Sequence, residues 1–199
     1  MTVRVAVLAS GKGTNLQALI DHFSLLGAHS PARIELVASN RPNALALDRA
    51  GNASIAAESF NAGDDGCELL ELLTRYNIEL VVLAGYMKRI PSSVVRQFHG
   101  RIVNVHPGLL PEFGGAGMYG ARVHQAVLAS GARTTGVTVH LVDDEFDHGP
   151  VVAQWRVKVN DDDTPESLAA RVLLVEHAIY PRAVEMIAVL TQQKLFADF

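Results

Sequence analysis

An amide and an imidazole stand two residues apart near the end of an apolar, β-branched segment. The segment RIVNVHPGLLP covers residues 101–111 and predicts a buried strand that delivers Asn104 and His106 before Pro107 ends the pairing. Because strand side chains alternate between faces, both project from one face at the carboxyl end, where ligands bind in open α/β sheets. The pair could donate to a developing oxyanion and shuttle a proton. On these residues alone, a loop-capping asparagine and a backbone-bonded histidine remain the alternative.

A glycine-rich turn follows the first predicted strand. The turn SGKGTN, residues 10–15, leads from a strand at 3–9 into a helix at 14–26. Backbone N–H groups at such a helix start attract an anion, and the helix dipole adds to the attraction. The turn lacks the lysine that a Walker loop places before Thr14, and Leu16 replaces the third glycine of a dinucleotide loop. We therefore expect a phosphomonoester, with a plain tight turn capped by Asn15 as the alternative.

The rest of the chain alternates between predicted strands and helices, which indicates an α/β fold with a parallel sheet. The last two strands alternate apolar and polar residues and predict an antiparallel pair. Asp64 or Asp65 is expected to cap the third helix, and Thr164 followed by Pro165 is typical of a helix start. Further strands are predicted at 33–39, 54–57, 80–84, 135–142 and 151–159, and helices at 44–50, 64 or 65–76, 94–98, 119–130 and 165–190.

Composition narrows the class of protein. The chain has 199 residues, of which 49% are hydrophobic and 19% charged, so we expect one globular domain. A net charge of −4 disfavours a nucleic-acid-binding surface, and no apolar run has membrane-spanning length. Cys67 is the single cysteine, which excludes an internal disulfide and suits a reducing compartment. We expect a cytoplasmic protein that is a monomer or a homodimer.

Three other segments carry candidate functional residues. The loop GYMKRIP at 85–91 offers apolar surface for a flat ligand, although the same residues could pack a helix start. The acidic loop at 143–150 is either solvated or a metal site, and its spacing does not match a calcium-binding loop. Glu176 lies on a mostly apolar predicted helix and is a candidate contact for a substrate amine.

Taken together, five motifs resemble one family. They are SGKGTN at 10–15, LAGYM at 83–87, NVHPGLLP at 104–111, DEFDHGP at 144–150 and EHAIYP at 176–181. In this order they resemble the glycinamide ribonucleotide transformylases, the folate-dependent phosphoribosylglycinamide formyltransferases of purine synthesis. The resemblance implies a doubly wound, mostly parallel open sheet with an antiparallel C-terminal hairpin, in one formyltransferase domain spanning residues 1–199. It also implies transfer of the formyl group of 10-formyltetrahydrofolate to the amine of glycinamide ribonucleotide, without a metal.

The resemblance assigns roles residue by residue. Its catalytic positions fall on Asn104, His106 and Asp147, where the first two would stabilise a tetrahedral oxyanion and Asp147 would assist proton transfer. The substrate-binding positions fall on Gly11, Lys12, Gly13, Thr14, Asn15, Gly85, Pro107 and Glu176. The folate-binding positions fall on Leu83, Tyr86, Met87, Lys88, Arg89, Ile90, Val95, Val103, Val142, Asp143, Asp144 and Glu145.

The sequence departs from the family pattern at two places. Ala62 stands where the family often has an arginine near the folate's glutamate tail, so recognition of that tail is in question. The segment 114–120 is rich in glycine and predicts a flexible loop.

Three other functions share part of this pattern. Formyltetrahydrofolate hydrolase shares the Asn-His-Asp site but carries an N-terminal regulatory domain, which we do not expect because the first strand begins at Val3. Methionyl-tRNA formyltransferase needs a C-terminal tRNA-binding domain and a basic surface, which we also do not expect. A catalytically silent sensor of phosphorylated ligands would keep the turn at 10–15 without needing the three catalytic positions together.

Overall fold

The computed structural model describes residues 2–63 and 65–193, and a seven-stranded sheet lies at its centre. The strands are β1 (Val3–Leu8), β2 (Ala32–Ser39), β3 (Ala56–Ser59), β4 (Leu80–Leu83), β5 (Ile102–His106), β6 (Thr134–Leu141) and β7 (Val151–Lys158). The helices are α1 (Thr14–Leu26), α2 (Leu45–Asn52), α3 (Cys67–Arg75), α4 (Ser92–Gln97), α5 (Ala121–Ala129) and α6 (Pro165–Gln192). A short 3₁₀ helix covers Gly27–His29.

The strand order is β3-β2-β1-β4-β5-β6-β7. Strands β1 to β5 are parallel, β6 is antiparallel to β5, and β7 is antiparallel to β6. The chain first winds outward from β1 to β3 and then returns to place β4 on the other side of β1. This confirms the doubly wound, mostly parallel sheet with a C-terminal antiparallel pair. It also creates a switch point between β1 and β4, where α/β sheets bind ligands at the strands' carboxyl ends.

Helices cover both faces of the sheet because the central strands are apolar on both sides. Along β1, Val5 and Val7 pack with residues of α1, α5 and α6, whereas Ala6 and Leu8 pack with residues of α3 and α4. All four β1 side chains are fully buried. Each large aliphatic side chain buried in this way stabilises the fold by about 1.5–3 kcal/mol. The two layers fix the strand ends against which a ligand site can be built.

Helix α6 spans one face and is anchored at its start and in its interior. Thr164 caps it, since its side chain accepts from the Ser167 N–H at 3.2 Å and Ser167 Oγ accepts from the Thr164 N–H at 3.0 Å. The buried Tyr180 hydroxyl lies 2.9 Å from the Leu83 carbonyl and 3.2 Å from the Val103 carbonyl. Tyr180 therefore links α6 to the end of β4 and to β5 at the residue before Asn104.

Some element boundaries differ from the sequence-based predictions. Helix α2 continues past Gly51, and the Ile55 N–H still bonds to the Ala50 carbonyl at 2.9 Å. Ser54 has φ +57, so the chain is still leaving the helix at the point where a strand was predicted. Strand β3 begins two residues later as a consequence.

In the described part of the chain, no helix combines the length and apolar character needed to span a membrane.

The predicted cap of α3 is also wrong for Asp65. Helix α3 begins after Gly66, which has φ +92, and Asp65 itself has φ +59. A Cβ at Gly66 would lie 2.8 Å from Pro91 Cβ and from Ser93 Oγ, so the close approach of the α4 segment requires glycine there. Asp64, the other predicted cap, lies outside the described residues.

Candidate active site

Asn104, His106 and Asp147 converge at the carboxyl end of β5. His106 Nδ1 lies 3.4 Å from Asp147 Oδ2, and His106 Nε2 lies 2.7 Å from the Phe113 carbonyl oxygen. Because a carbonyl only accepts, the Nε2–H is used there and Nδ1 is left facing Asp147. The Gly115 N–H donates to Asp147 Oδ2 at 3.0 Å. A protonated His106 therefore has an acceptor at each ring nitrogen.

A second histidine, His140, belongs to the same cluster and was missed in the sequence. It lies on β6 directly opposite Asn104, and its Nε2 is 3.1 Å from Asn104 Nδ2 and 3.6 Å from Asp147 Oδ1. His140 Nδ1 lies 2.8 Å from the Leu141 carbonyl oxygen, to which its N–H donates a hydrogen bond. In neutral His140 the Nε2 is then an acceptor, so it orients the Asn104 amide with one N–H toward itself. The second N–H of that amide stays free for a ligand.

Asp147 is held as a carboxylate by its surroundings. Its burial favours the neutral acid, but a hydrogen bond from protonated His106, the adjacent His140 ring, the positive charge at His106 and the Gly115 N–H outweigh burial. They hold the pKa of Asp147 well below its ordinary value. Asp147 also has φ +56, a left-handed backbone conformation that Asp and Asn adopt more readily than other non-glycine residues. The site thus contains an anion that remains charged at neutral pH.

These groups line a cavity of about 470 Å³, within the range that holds small ligands. The loop after β4 forms one wall, and Met87 and Ile90 give it the apolar surface that was expected for a flat ligand. The buried Tyr86 ring also lines it and stacks on Phe60 with ring centroids 6.1 Å apart, and burial raises the pKa of Tyr86 to about 12. The predicted folate positions found in the cavity wall are Leu83, Tyr86, Met87, Lys88, Arg89, Ile90, Val142, Asp143 and Glu145.

Three predicted folate positions do not line this cavity. Val95 and Val103 are buried in the two core clusters on opposite faces of the sheet. Asp144 is exposed, and its carbonyl accepts a hydrogen bond from the Arg89 guanidinium. Ala62, the position that departs from the family pattern, packs partly buried against the cluster around α3 and α4. The side chains of these four residues therefore lie behind the cavity wall or beside it.

The glycine-rich turn has the geometry expected of a helix start. Gly13 has φ +70, and a Cβ there would lie 2.9 Å from Ala46 Cα, so glycine is required. The turn is braced by α2, since the Ala46 N–H donates to the Gly11 carbonyl at 3.1 Å and Arg49 Nε donates to the Lys12 carbonyl at 2.8 Å. The first N–H groups of any helix have no partner inside the helix. Of the predicted turn positions, Gly11, Lys12, Gly13 and Thr14 lie outside the cavity wall, and Asn15 is in it.

Asn15 and Glu176 join the turn to α6 across the cavity. Asn15 Nδ2 donates to Glu176 Oε2 at 2.5 Å, and both side chains are buried. Burial raises the pKa of Glu176, while the hydrogen bond from Asn15 and the charge of His106 offset part of the rise. Asn15 Oδ1 is buried without a protein partner. Two acceptors, the Glu176 carboxylate and this amide oxygen, are therefore available to donors of a ligand.

Most of the other residues that line the cavity were not predicted from the sequence. Gly85 and Pro107, the two loop positions predicted to bind substrate, line the cavity, and so do parts of the glycine-rich segment 115–121 and of α6. His124 of α5 also lines it, buried, and burial together with the charge of His106 lowers the pKa of His124. Among the described residues, no group of three or more His, Cys, Asp or Glu has the arrangement of a metal site.

The fold and the site together define the class: an α/β enzyme with a hydrogen-bonding and acid–base cluster at the carboxyl end of β5. Residues 3–184 match the family model described as formyl transferase. The chain belongs to the formyl transferase family.

Curated relatives and solved structures with 36–39% identity agree with this assignment. The chloroplastic phosphoribosylglycinamide formyltransferases of Arabidopsis thaliana and Vigna unguiculata are 38% and 39% identical, over 96% and 92% of this chain. The chain spans 66% and 60% of the length of those two proteins. The crystal structure of phosphoribosylglycinamide formyltransferase from Anaplasma phagocytophilum matches with a TM-score of 0.87 and 36% identity, covering 94% of this chain and 87% of that one.

Proposed function

We propose that this enzyme transfers the formyl group of 10-formyltetrahydrofolate to the amine of glycinamide ribonucleotide. One observation carries the proposal: Asn104, His106 and Asp147 meet at one cavity wall, while Asn15 and Glu176 meet at the wall beside the glycine-rich turn. The cavity thus has a reaction cluster close to a place for a small phosphorylated ligand. The relatives named above support this choice of substrates, and one formyl transferase domain is part of the proposal.

The apolar wall fits a pteridine-like ring and supplies few charges in its interior. Leu83, Met87, Ile90 and Val142 would contact the flat face, and backbone groups of the loop at 142–147 would border its edge. The formyl-folate supplies an activated carbonyl carbon. Lys88 and Arg89, which line the cavity and are exposed, would be the cations for the folate tail, where Ala62 cannot serve.

The chain's own residues would act on the attack by the substrate amine. A bond forms between the amine nitrogen and the formyl carbon, and negative charge develops on the formyl oxygen. The free N–H of Asn104 is the donor available to that oxygen, and protonated His106, whose Nδ1–H faces Asp147, would stabilise the negative charge through its own positive charge. Asp147, ionised at neutral pH, would relay the amine proton, directly or through water, to the folate nitrogen as the bond from carbon to that nitrogen breaks and the formyl C=O re-forms.

The phosphate of the substrate would lie at the start of α1. The N–H groups of the turn and the helix dipole favour an anion there, and Gly13 allows the chain to turn closely against α2. Glu176 would then accept hydrogen bonds from the sugar or the amine end of the same ligand. Its link to Asn15 keeps the two contacts at a fixed separation.

The test is to follow folate deformylation by absorbance, with and without glycinamide ribonucleotide. We expect deformylation only when the amine substrate is present, and much weaker stimulation by its dephosphorylated analogue. Deformylation that ignores the amine would instead indicate a hydrolase. No deformylation under any condition, with binding of phosphorylated ligands retained, would indicate a sensor.

A further inference from the structure

The loop that carries Asp147 is fixed at its two ends but crosses the cavity rim between them. The Leu141 N–H donates to the Pro150 carbonyl and the Val142 N–H to the Ile102 carbonyl, both at 2.9 Å. A Cβ at Gly149 would lie 2.0 Å from the Leu141 carbonyl oxygen, so the ends of the loop approach closely. Residues 142–149, here called the β6–β7 loop, therefore have a defined base. Between these ends, Asp147 is held by the Gly115 N–H, which donates to its carboxylate, and by contacts within the loop.

One such contact lies within the loop itself. His148 Nδ1 is 2.7 Å from Asp143 Oδ2, and the other carboxylate oxygen, Oδ1, accepts from the Glu145 N–H at 2.9 Å. The Asp143 side chain thus bonds both to the middle of the loop and to its far side. His148 directly follows Asp147, whose backbone has φ +56. The contact therefore links His148, the neighbour of the strained Asp147, to Asp143 on the opposite side of the loop.

We propose that His148 and Asp143 form a positioning pair that holds the β6–β7 loop in the conformation in which Asp147 faces His106 and His140. The proposal rests on the proposed function, because it assigns the pair a role in the same reaction. Neither side chain of the pair needs to touch the reacting atoms. The pair acts through the backbone of Asp147.

The charges around the pair favour a protonated His148. The hydrogen bond to Asp143 and the negative charges of Asp143 and Glu145 raise the pKa of His148. For Asp143, burial alone would raise the pKa, but bonds from His148 and the Glu145 N–H, with the charges of His148 and His140, lower it. The His148 side chain is 67% exposed, so water and salt weaken the interaction. An exposed pair of this kind changes an equilibrium by only about two- to fivefold.

The experiment compares kcat and KM for the wild type, His148→Ala, His148→Asn and Asp143→Ala. We expect His148→Ala and Asp143→Ala to lower kcat by about two- to fivefold, with the KM for glycinamide ribonucleotide unchanged. Asparagine places a side-chain N–H near the position of Nδ1, so His148→Asn should recover most of the wild-type rate. His99, an exposed histidine outside the loop, provides the matched control His99→Ala, which should leave kcat unchanged.

A double-mutant cycle separates positioning from a general loss of structure. If the pair acts through Asp147, adding His148→Ala to Asp147→Asn should cause no further loss of kcat. An equal loss in both backgrounds would overturn the proposal. So would an unchanged kcat in His148→Ala and Asp143→Ala.

A readout independent of activity distinguishes failure of this proposal from failure of the proposed function. Carbon-13 NMR of the Asp147 carboxyl reports its titration even in an enzyme with no formyl transfer. In His148→Ala the pKa of Asp147 should move up toward its ordinary value, because its contacts with His106 and His140 loosen. An unchanged titration of Asp147 would contradict the positioning role, whereas absence of transfer by the wild type would contradict only the proposed function.

Discussion

Replacing Asp147 with asparagine removes the charge and leaves the shape and the backbone preference, since Asn and Asp both tolerate left-handed φ. Oδ2 accepts from the Gly115 N–H at 3.0 Å and lies 3.4 Å from His106 Nδ1, while Oδ1 lies 3.6 Å from His140 Nε2. In either orientation of the new amide, the negative charge that faces protonated His106 is lost, and with it the charge-assisted hydrogen bond between the two side chains. A hydrogen bond to a charged group contributes about 1.5–3 kcal/mol. Loss of one such bond in the transition state predicts a fall in kcat of about ten- to 150-fold.

The assay is steady-state formyl transfer with both substrates varied, using Asp162→Asn as control. Asp162 is an exposed acid outside the cavity wall and outside the predicted binding positions, so its variant should keep the wild-type kcat. A kcat for Asp147→Asn within threefold of wild type, or a change confined to KM, would refute the catalytic assignment.

Urea unfolding gives a second measurement on Asp147→Asn. The lowered pKa of Asp147 means that its carboxylate stabilises the fold above the ordinary pKa of aspartate, about 3.9. That stabilisation is lost as the pH falls below about 3.9 toward the lower pKa of the folded state. The variant should therefore be less stable than wild type at pH 7, and the difference should shrink in acid. A difference independent of pH would contradict the assigned charge.

Three further substitutions test other parts of the structure. Gly13→Ala should raise the KM for glycinamide ribonucleotide about tenfold or more, as for a lost charged contact, while Gly11→Ala, where a Cβ meets nothing within 4 Å, should not. Glu176→Gln should also raise that KM about tenfold or more. Because burial raises the pKa of Glu176, the wild-type KM should rise as the pH falls through that pKa, and this limb should be absent in the variant. Tyr180→Phe removes the buried hydroxyl donor that faces the Leu83 and Val103 carbonyls and should lower the free energy of unfolding by about 1–3 kcal/mol, measured with urea.

Each of these has a result that would contradict it. Equal KM values for Gly13→Ala and Gly11→Ala would place the phosphate elsewhere. A Glu176→Gln variant that loses only thermal stability would make Glu176 structural. Unchanged unfolding of Tyr180→Phe would show that the hydroxyl does not hold α6 to the strand ends.

Local chemistry made much of the fold predictable from the sequence. The Thr164-Pro165 pair predicted the start of α6, and the alternating segments on either side of the acidic loop predicted the β6–β7 hairpin. Errors in the predicted element boundaries arose where a residue adopted a backbone conformation that its residue type does not favour. Ser54 has φ +57, so the turn that follows α2 is longer than predicted and β3 begins later. The residue pattern at 54–57 does not indicate this turn.

The site was predictable only where one short segment carried its residues. Asn104 and His106 share a strand, so their common face followed from the spacing alone. His140 contacts Asn104 because β5 pairs with β6, although the two residues are 36 positions apart in the sequence. The register of that pairing is set by the whole sheet. One signal was present: His140 belongs to an alternating strand beside β5, and a buried polar residue there needs a partner. The Asn15–Glu176 bond spans 161 residues and had no local signal.

The most direct test of the central claim follows a carbon-13 formyl label from 10-formyltetrahydrofolate by mass spectrometry, using wild type and His106→Ala at equal concentration. We predict that the wild type forms one labelled formyl-glycinamide ribonucleotide for each folate deformylated. His106→Ala should bind both substrates yet form the product at a rate lower by about 10²–10³. Labelled formate without formylated product, or equal product from both proteins, would contradict formyl transfer by this site.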